Sequence, residues 1–411
     1  MPESAPADWD RSLFRKCGIP GDATVVAVGE AAHGSSTLFS FKDALVRYLV
    51  EDEGFRLLCY EFSFEQSLEI DSYINGASLD IDSLLSRQSW IQANTNVLSL
   101  LHWLRNFNDS LPRTERVHFI GVDCQTDMFC PDRLGYHISR LCPELGNELE
   151  GLLKALRSYG KPLYKGMADD DYDSLATLIE SLRSKTEAYF NRVPGGAGEP
   201  GAEDLIKQLI KCTGMSHSFL YSAYNGGKNM RDSFMKDNLL WAKNTFSGSD
   251  RAIFWAHNAH VRVDPDYYGE EGASAGMLLR QSLGDDYLVI GTAFGRGAVT
   301  AVEEDPATGE DTPPHTVPID TLPLPGSLNE LLGKSGEKVF VTDLGRVRPR
   351  SSLSDYLKAG MLFFGVGDFF TGRYIDHFRF YEGPVAGEFD FIFWFDTVFP
   401  LTLLQSHSSD D

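Results

Sequence analysis

Basic charge is what this chain has least of. Against 59 Asp and Glu it carries 37 Lys and Arg, a net charge of −22 over 411 residues. So acidic a chain repels phosphate backbones and anionic lipid surfaces, which argues against nucleic acid or a membrane as partner. No apolar run reaches the roughly 18 residues that a membrane-spanning helix needs. The first ten residues, MPESAPADWD, hold neither the basic nor the apolar run of a secretory leader, so a cytoplasmic protein is expected. Cysteine is sparse and scattered: Cys17, Cys59, Cys124, Cys130, Cys142 and Cys212 form no CxxC and no zinc-finger spacing. That leaves reduced structural thiols as the expectation. No internal repeat is present.

What the chain does have is core material, 42% hydrophobic and 12% aromatic residues, in a pattern that alternates strand and helix. Thr24–Val28 is a short β-branched and apolar run, broken at Gly29 and followed by Glu30, His33 and Gly34. A helix over 38–53 follows, with Leu38, Phe41, Leu45, Tyr48 and Leu49 on one face. A second strand, 56–62, carries Glu61 near its end. A helix over 64–75 and an aromatic-rich helical stretch over 90–108 lead to a third strand, 117–122, followed at once by Asp123 and Gln125. Residues 133–246 show helical periodicity without a strand, interrupted by the Gly/Pro-rich stretch 193–201. Strand signals resume at 252–256, followed by His257, Asn258 and His260, and at 287–291. Residues 303–326 read as loop, a helix starts near Ser327, and strands near 338–343 and 389–397 close the chain.

This is the signature of an α/β fold: a mainly parallel central sheet flanked by helices, with a long all-helical insertion covering the cleft at the carboxyl ends of the strands. The expected division is an α/β catalytic domain, 20–130 and 247–402, a helical insertion, 131–246, forming one wall of the cleft, and a disordered tail, 403–411. Residues 1–23 read as a mobile start.

The polar residues cluster after the strands. If the strands are parallel neighbours, Glu30, His33, Glu61, Asp123, His257 and His260 gather on one rim. Burying a carboxylate at a strand end is costly unless it is paired, so its repetition argues for a site. An imidazole beside a carboxylate can activate water as a general base, the carboxylate fixing its tautomer, and a second histidine can stabilise an oxyanion. That is acyl hydrolysis by direct water attack. Two rivals use the same residues. Gly272-Ala273-Ser274-Ala275-Gly276 matches the G-x-S-x-G elbow, but a polar loop stands where the elbow needs a strand, so Ser274 reads as a helix N-terminal residue lining the site. Glu30, His33, Glu61, His257 and His260 include acceptable metal ligands, although the spacing is not that of a helical zinc motif. Lys42, nine residues past His33, is either a solvated charge or points at the site.

Taken together these residues resemble the erythromycin esterase family. Gly29-Glu30-Ala31-Ala32-His33-Gly34 is similar to its GE-x-x-HG turn, and Phe39, Lys42, Leu45, Arg47, Leu49 and Val50 to the helix that follows. Glu61 matches the acid ending its second strand. Leu101, Trp103, Leu104 and Arg105 resemble its L-x-W-L-R helix, and Gly121-x-Asp123-x-Gln125 its G-x-D-x-Q strand end. Met230-Arg231-Asp232 with Met235 and Asn238 resembles its R-D-x-x-M-x-x-N helix. Trp255-Ala256-His257-Asn258-Ala259-His260 matches its W-A-H-N-x-H strand end, and Ser274 with Gly276 its S-x-G segment.

The resemblance implies a deep cleft between sheet and insertion. It also implies metal-independent hydrolysis of a macrolide lactone in the antibiotic-resistance members, others serving natural-product biosynthesis. By position, His33 is the general base, Glu30 its orienter, and Glu61 and His260 complete the catalytic set. Lys42, Asp123, Gln125, Arg231, His257, Asn258 and Ser274 fall at substrate-binding positions. The expected function is a hydrolase of an ester, lactone or related acyl bond of a bulky, macrolide-like natural product, through His-activated water and no covalent intermediate. No metal or cofactor is expected, and the partner is a small-molecule or modified-peptide substrate. The same centre could instead run an intramolecular acyl transfer, cyclisation or elimination. The non-enzymatic alternative is a ligand- or metal-binding module. The aromatics Phe219, Tyr221, Tyr224 and Phe234 suggest either an apolar cleft wall or the insertion's own core.

Overall fold

The computed structural model describes residues 11–405 apart from 125–130, 160–163, 194–200, 229, 247–249, 266–271, 306–307, 321–325, 348–354, 356, 359–360, 371–379 and 384. Gln125, most of the Gly/Pro-rich stretch and most of the expected tail lie outside the described residues.

The strands are β1 (Val25–Glu30), β2 (Leu57–Ser63), β3 (His118–Asp123), β4 (Ala252–His257), β5 (Tyr287–Ala301), β6 (His315–Asp320), β7 (Val339–Asp343), β8 (Met361–Phe364), β9 (Phe380–Gly383) and β10 (Phe391–Val398). The central sheet has the order β3-β2-β4-β1-β5-β10-β7, with β6 paired to the distal half of β5. The neighbours from β3 to β10 are parallel; β7 and β6 are antiparallel additions. Strand period explains why these runs are apolar throughout. Val25 and Ala27 face one layer and Val26 and Val28 the other, and all four are buried, as in parallel sheets covered on both sides.

One layer contains α1 (Arg11–Cys17), α2 (Ser36–Glu51), α4 (Ile81–Ser86) and α5 (Thr95–Asp109), and buries Phe14, Leu38, Phe41, Leu45, Leu85 and Leu101. The helix α2 begins where Ser35 caps it, its Oγ accepting the Leu38 amide at 3.3 Å. The other layer holds α3 (Phe64–Ile74), then α6 (Pro131–Leu141), α7 (Pro143–Ser158), α8 (Asp169–Arg192), α9 (Ala202–Asn225) and α10 (Arg231–Phe246). The last of these returns to the sheet: Asn238 Nδ2 donates to Val122 O at 3.0 Å and its Oδ1 accepts from Gln208 at 2.7 Å. No helix among the described residues is long and apolar enough to cross a membrane.

Several expectations shift. The stretch read as a mobile start contains α1. The strand β1 runs through Gly29 to Glu30, and the glycine is there for space: a Cβ would lie 2.3 Å from Asn258 Oδ1. The helix expected from Trp90 starts at Thr95, because Asn94 Oδ1 accepts the Asn96 and Val97 amides at 3.0 Å each and leaves 89–94 as turns. The strand β5 continues ten residues beyond 291, and its extension recruits β6 out of the stretch read as loop.

The turn after β1 is pinned from outside its own hairpin of chain. Gly34 O accepts from Thr300 N at 2.9 Å and Leu401 N at 3.1 Å, and His33 N donates to Val366 O at 3.2 Å. A Cβ on Gly34 would sit 1.7 Å from the Thr300 carbonyl oxygen. Gly34→Ala is therefore expected to push the turn off β5 and cost about 2 kcal/mol or more, read as a fall in the urea midpoint.

Candidate active site

Because β3, β2, β4 and β1 are adjacent and parallel, their carboxyl ends bring Asp123, Glu61, His257 and Glu30 together. They face a cleft of about 430 Å³, which His33, His260 and Arg231 also line.

The centre is built around Glu30, which is 2% exposed. Its Oε1 accepts from His33 Nδ1 at 2.9 Å, and its Oε2 is in contact with Lys42 Nζ. Lys42 comes from the second turn of α2 and is fully buried. Its Nζ also donates to Ala256 O at 3.0 Å and lies 4.4 Å from the centre of the Trp255 ring. Burial pulls the Lys42 pKa well below its usual value, with Glu61 opposing. Three acceptors around one nitrogen, a carboxylate, a carbonyl and a π face, are what an ammonium requires. With its Nδ1–H on Glu30, His33 presents Nε2 as a lone pair, 4.0 Å from Glu61 Oε1. This tautomer follows from the hydrogen-bond network.

Glu61 is held by two donors: Arg231 Nη2 donates to Oε1 at 2.8 Å and the His257 amide to Oε2 at 2.8 Å, with His260 Nε2 3.4 Å from Oε1. Burial pushes this carboxyl up, but His260, His33, Arg231 and the His257 amide outweigh it and hold Glu61 well below the usual carboxylate range. Arg231 also grips Asp123 through two bonds, 2.9 and 2.7 Å. One guanidinium at the start of α10 thus ties the ends of β2 and β3 together in the bidentate geometry that suits arginine.

His257 Nδ1 accepts the Ala259 amide at 3.2 Å, which leaves its proton on Nε2. Burial and the neighbouring His33 push its pKa well down, so it is a neutral N–H donor at neutral pH. His260 Nδ1 donates to Asp232 at 2.9 Å, and its Nε2 accepts from Arg231 Nη1 at 3.1 Å. Both its nitrogens are engaged in this arrangement, so it positions Arg231 rather than presenting a free base to the cleft.

Three residues expected at the substrate sit elsewhere. Lys42 does not line the cleft; it is the counter-charge of Glu30. Asn258 exchanges hydrogen bonds with Thr292, 2.7 and 3.2 Å, and locks β4 to β5. Ser274 is fully buried; its Oγ donates to Arg262 O at 2.6 Å and accepts the Met277 amide as the cap of helix Ala275–Leu283. The insertion's aromatics form no cleft wall. Tyr221 bonds Asp169, Tyr224 is 58% exposed, and Phe219 and Phe234 pack in the core. Among the described lining residues only Arg231 comes from 131–246; the walls come from 60–66, 87–92 and Gly367-Asp368.

Sequence reasoning passed over Asp232, Arg87, Gln88, Gln92 and Asp368. Of these, only Asp232 carried a signal, as the neighbour of Arg231 in a helix-opening pair.

Glu30, His33 and Glu61 can bring three ligand atoms within 4.8 Å of one another. Each carboxylate already has a cation in contact, Lys42 or Arg231, and a divalent ion would have to displace both.

A parallel-sheet α/β enzyme with paired acids and histidines at the strand ends is thus the class that fold and site define. The erythromycin esterase family model matches residues 50–398, and the chain belongs to that family, a group of ester hydrolases. Erythromycin esterase type II of Escherichia coli is 23% identical over 314 residues, 69% of this chain and 72% of that one. A Bacillus cereus protein of known structure superposes with a TM-score of 0.81 at 20% identity, over 98% of this chain and 96% of that one. A mutant of the erythromycin esterase EreC in its open conformation does so with a TM-score of 0.71 at 15% identity, over 97% of each chain. These two likenesses show the shared fold.

Asp232 also accepts the Ala275 amide at 2.7 Å, so its carboxylate sets both the His260 tautomer and the start of the following helix. Asp232→Asn is expected to let the His260 ring change tautomer and release Arg231. Turnover should then fall about tenfold or more, the scale of losing a hydrogen bond that orients a site histidine, with circular dichroism unchanged.

Proposed function

We propose that this protein hydrolyses an ester, lactone or related acyl bond of an oxygen-rich natural product of the macrolide-like kind, using water activated by His33 and no covalent enzyme intermediate. The observation that carries the reading is the orientation of His33. Its Nδ1 is committed to a buried, lysine-paired carboxylate and its Nε2 faces the cleft, 4.0 Å from Glu61. A water oxygen can bridge such a gap. In the proposed step that oxygen bonds to the acyl carbon while its proton passes to His33 Nε2. The oxyanion that forms is met by His257 Nε2–H and the guanidinium of Arg231, fixed donors in a largely buried cleft. Collapse breaks the acyl–oxygen bond, and the departing alkoxide takes the proton back from His33.

The serine route has little support: Ser274 is committed to capping a helix and is fully buried. A cationic partner on each carboxylate lets two acids lie buried beside two histidines. The names of the erythromycin esterases it resembles favour a macrolide-like substrate. The polar walls of the cleft favour an oxygen-rich one.

His33→Gln is expected to lower kcat for ester or lactone cleavage by about 10²–10⁴-fold, the range of a general base, with the fold intact by circular dichroism. In water enriched in heavy oxygen the product acid should carry one label from solvent. Unlabelled product would indicate an intramolecular acyl transfer or cyclisation in place of hydrolysis.

A further inference from the structure

One side of the cleft contains a guanidinium that the chemistry above does not use. Arg87 stands at the carboxyl end of the short helix Ile81–Ser86 and lines the same cleft as His33 and Glu61. Its side chain makes no ion pair or hydrogen bond among the described residues. Other arginines, Arg113 among them, also lack an acid among the described residues; what sets the exposed Arg87 apart is that it lines the cleft. Arg11, Arg15, Arg47, Arg183 and Arg192 all find acids on the surface, and Arg231 is held by Glu61 and Asp123.

The residues around Arg87 continue the theme. Gln92 Nε2 donates to Glu61 O at 3.4 Å, which ties this segment to the end of β2, and Gln88 Nε2 donates to Leu84 O at 3.1 Å. Both amides are thereby oriented with Oε1 left as an acceptor. Gln66, Ser63 and Ser89 complete a polar wall. The lining aromatics Tyr60, Phe62 and Trp255 are 2%, 4% and 2% exposed, so their rings belong to the core and offer the cleft little apolar surface. A guanidinium fork donates to the two oxygens of a carboxylate, and amide oxygens accept hydroxyl or amide hydrogens.

We propose that Arg87, with Gln88 and Gln92, forms a subsite for a carboxylate on the substrate, so that the ester cleaved here carries an acidic, hydrogen-bond-rich group on one side of the scissile bond. This rests on the hydrolase reading for the reaction but not for the binding. The competing feature is Asp368, an exposed acid on the same lining, which would select an ammonium instead. In so acidic a chain an unpaired aspartate is the common case and an unpaired arginine in a cleft is not.

The test has two arms on the full chain. The first compares kcat/KM for 4-nitrophenyl hydrogen adipate, 4-nitrophenyl methyl adipate and 4-nitrophenyl 6-aminohexanoate. The second measures binding of adipamate against adipamide by calorimetry, which needs no turnover. Each is run on the wild type, on Arg87→Gln, and on Arg113→Gln, an exposed arginine before β3 at the opposite rim of the sheet. The expected result is a preference for the acidic probe and for adipamate, reduced about two- to fivefold in Arg87→Gln, the scale of an exposed ion pair, and retained in Arg113→Gln. Equal binding of adipamate and adipamide, or a preference that survives Arg87→Gln, overturns the subsite. Selection of the 6-aminohexanoate overturns it in favour of Asp368. Arg87-dependent binding of adipamate with no cleavage of any ester leaves the subsite standing and removes the hydrolase reading.

Discussion

The buried pair between Glu30 and Lys42 is the interaction on which the rest of the site depends. A carboxylate buried at the end of the central strand needs a cation beside it, because removing one member of such a pair costs about 3–5 kcal/mol. With Lys42 beneath it, Glu30 stays as an acceptor and fixes His33 Nδ1 at 2.9 Å. The lysine is itself placed by α2, whose cap at Ser35 follows directly from the His33 turn. One strand–turn–helix unit therefore supplies the orienter, the base and the counter-charge.

The same logic recurs across the sheet. Glu61 and Asp123 end two adjacent strands, and a single arginine from α10 neutralises both. The helical segment thus acts on the chemistry through its last helix: Arg231 clamps the acids, and Asp232 orients His260 beside it. Both charge-compensating cations reach the centre from helices that follow or cross the strands.

Much of this is legible in the amino-acid sequence alone. Strand runs ending in Glu30, Glu61, Asp123 and His257 announce themselves because a buried acid after an apolar run is costly, and one parallel order of strands gathers them. The partner identities were less legible. Lys42 could be placed near the site, but whether it met substrate or Glu30 depends on the packing of α2 on Trp255. Ser274 and Asn258 share motifs with site residues, yet each satisfies backbone groups, a choice that only the three-dimensional neighbours decide. Arg87, Gln88 and Gln92 sit in turns without periodicity, and Asp368 arrives from a segment distant in sequence that bridges Ala32 through Val366. The extension of β5 was hidden because Gly295-Arg296-Gly297 reads as a turn, whereas Gly297 passes close over the Val398 backbone.

If Lys42 serves to hold Glu30 as a compensated orienter, its removal must leave Glu30 uncompensated beside His33. An unpaired carboxylate favours the imidazolium and makes the base harder to keep neutral. The direct measurement is the pH dependence of kcat/KM in Lys42→Met against the wild type, with folding verified by circular dichroism. The account predicts that the acid limb moves to higher pH in the variant. An acid limb that stays in place, or moves to lower pH, would contradict it.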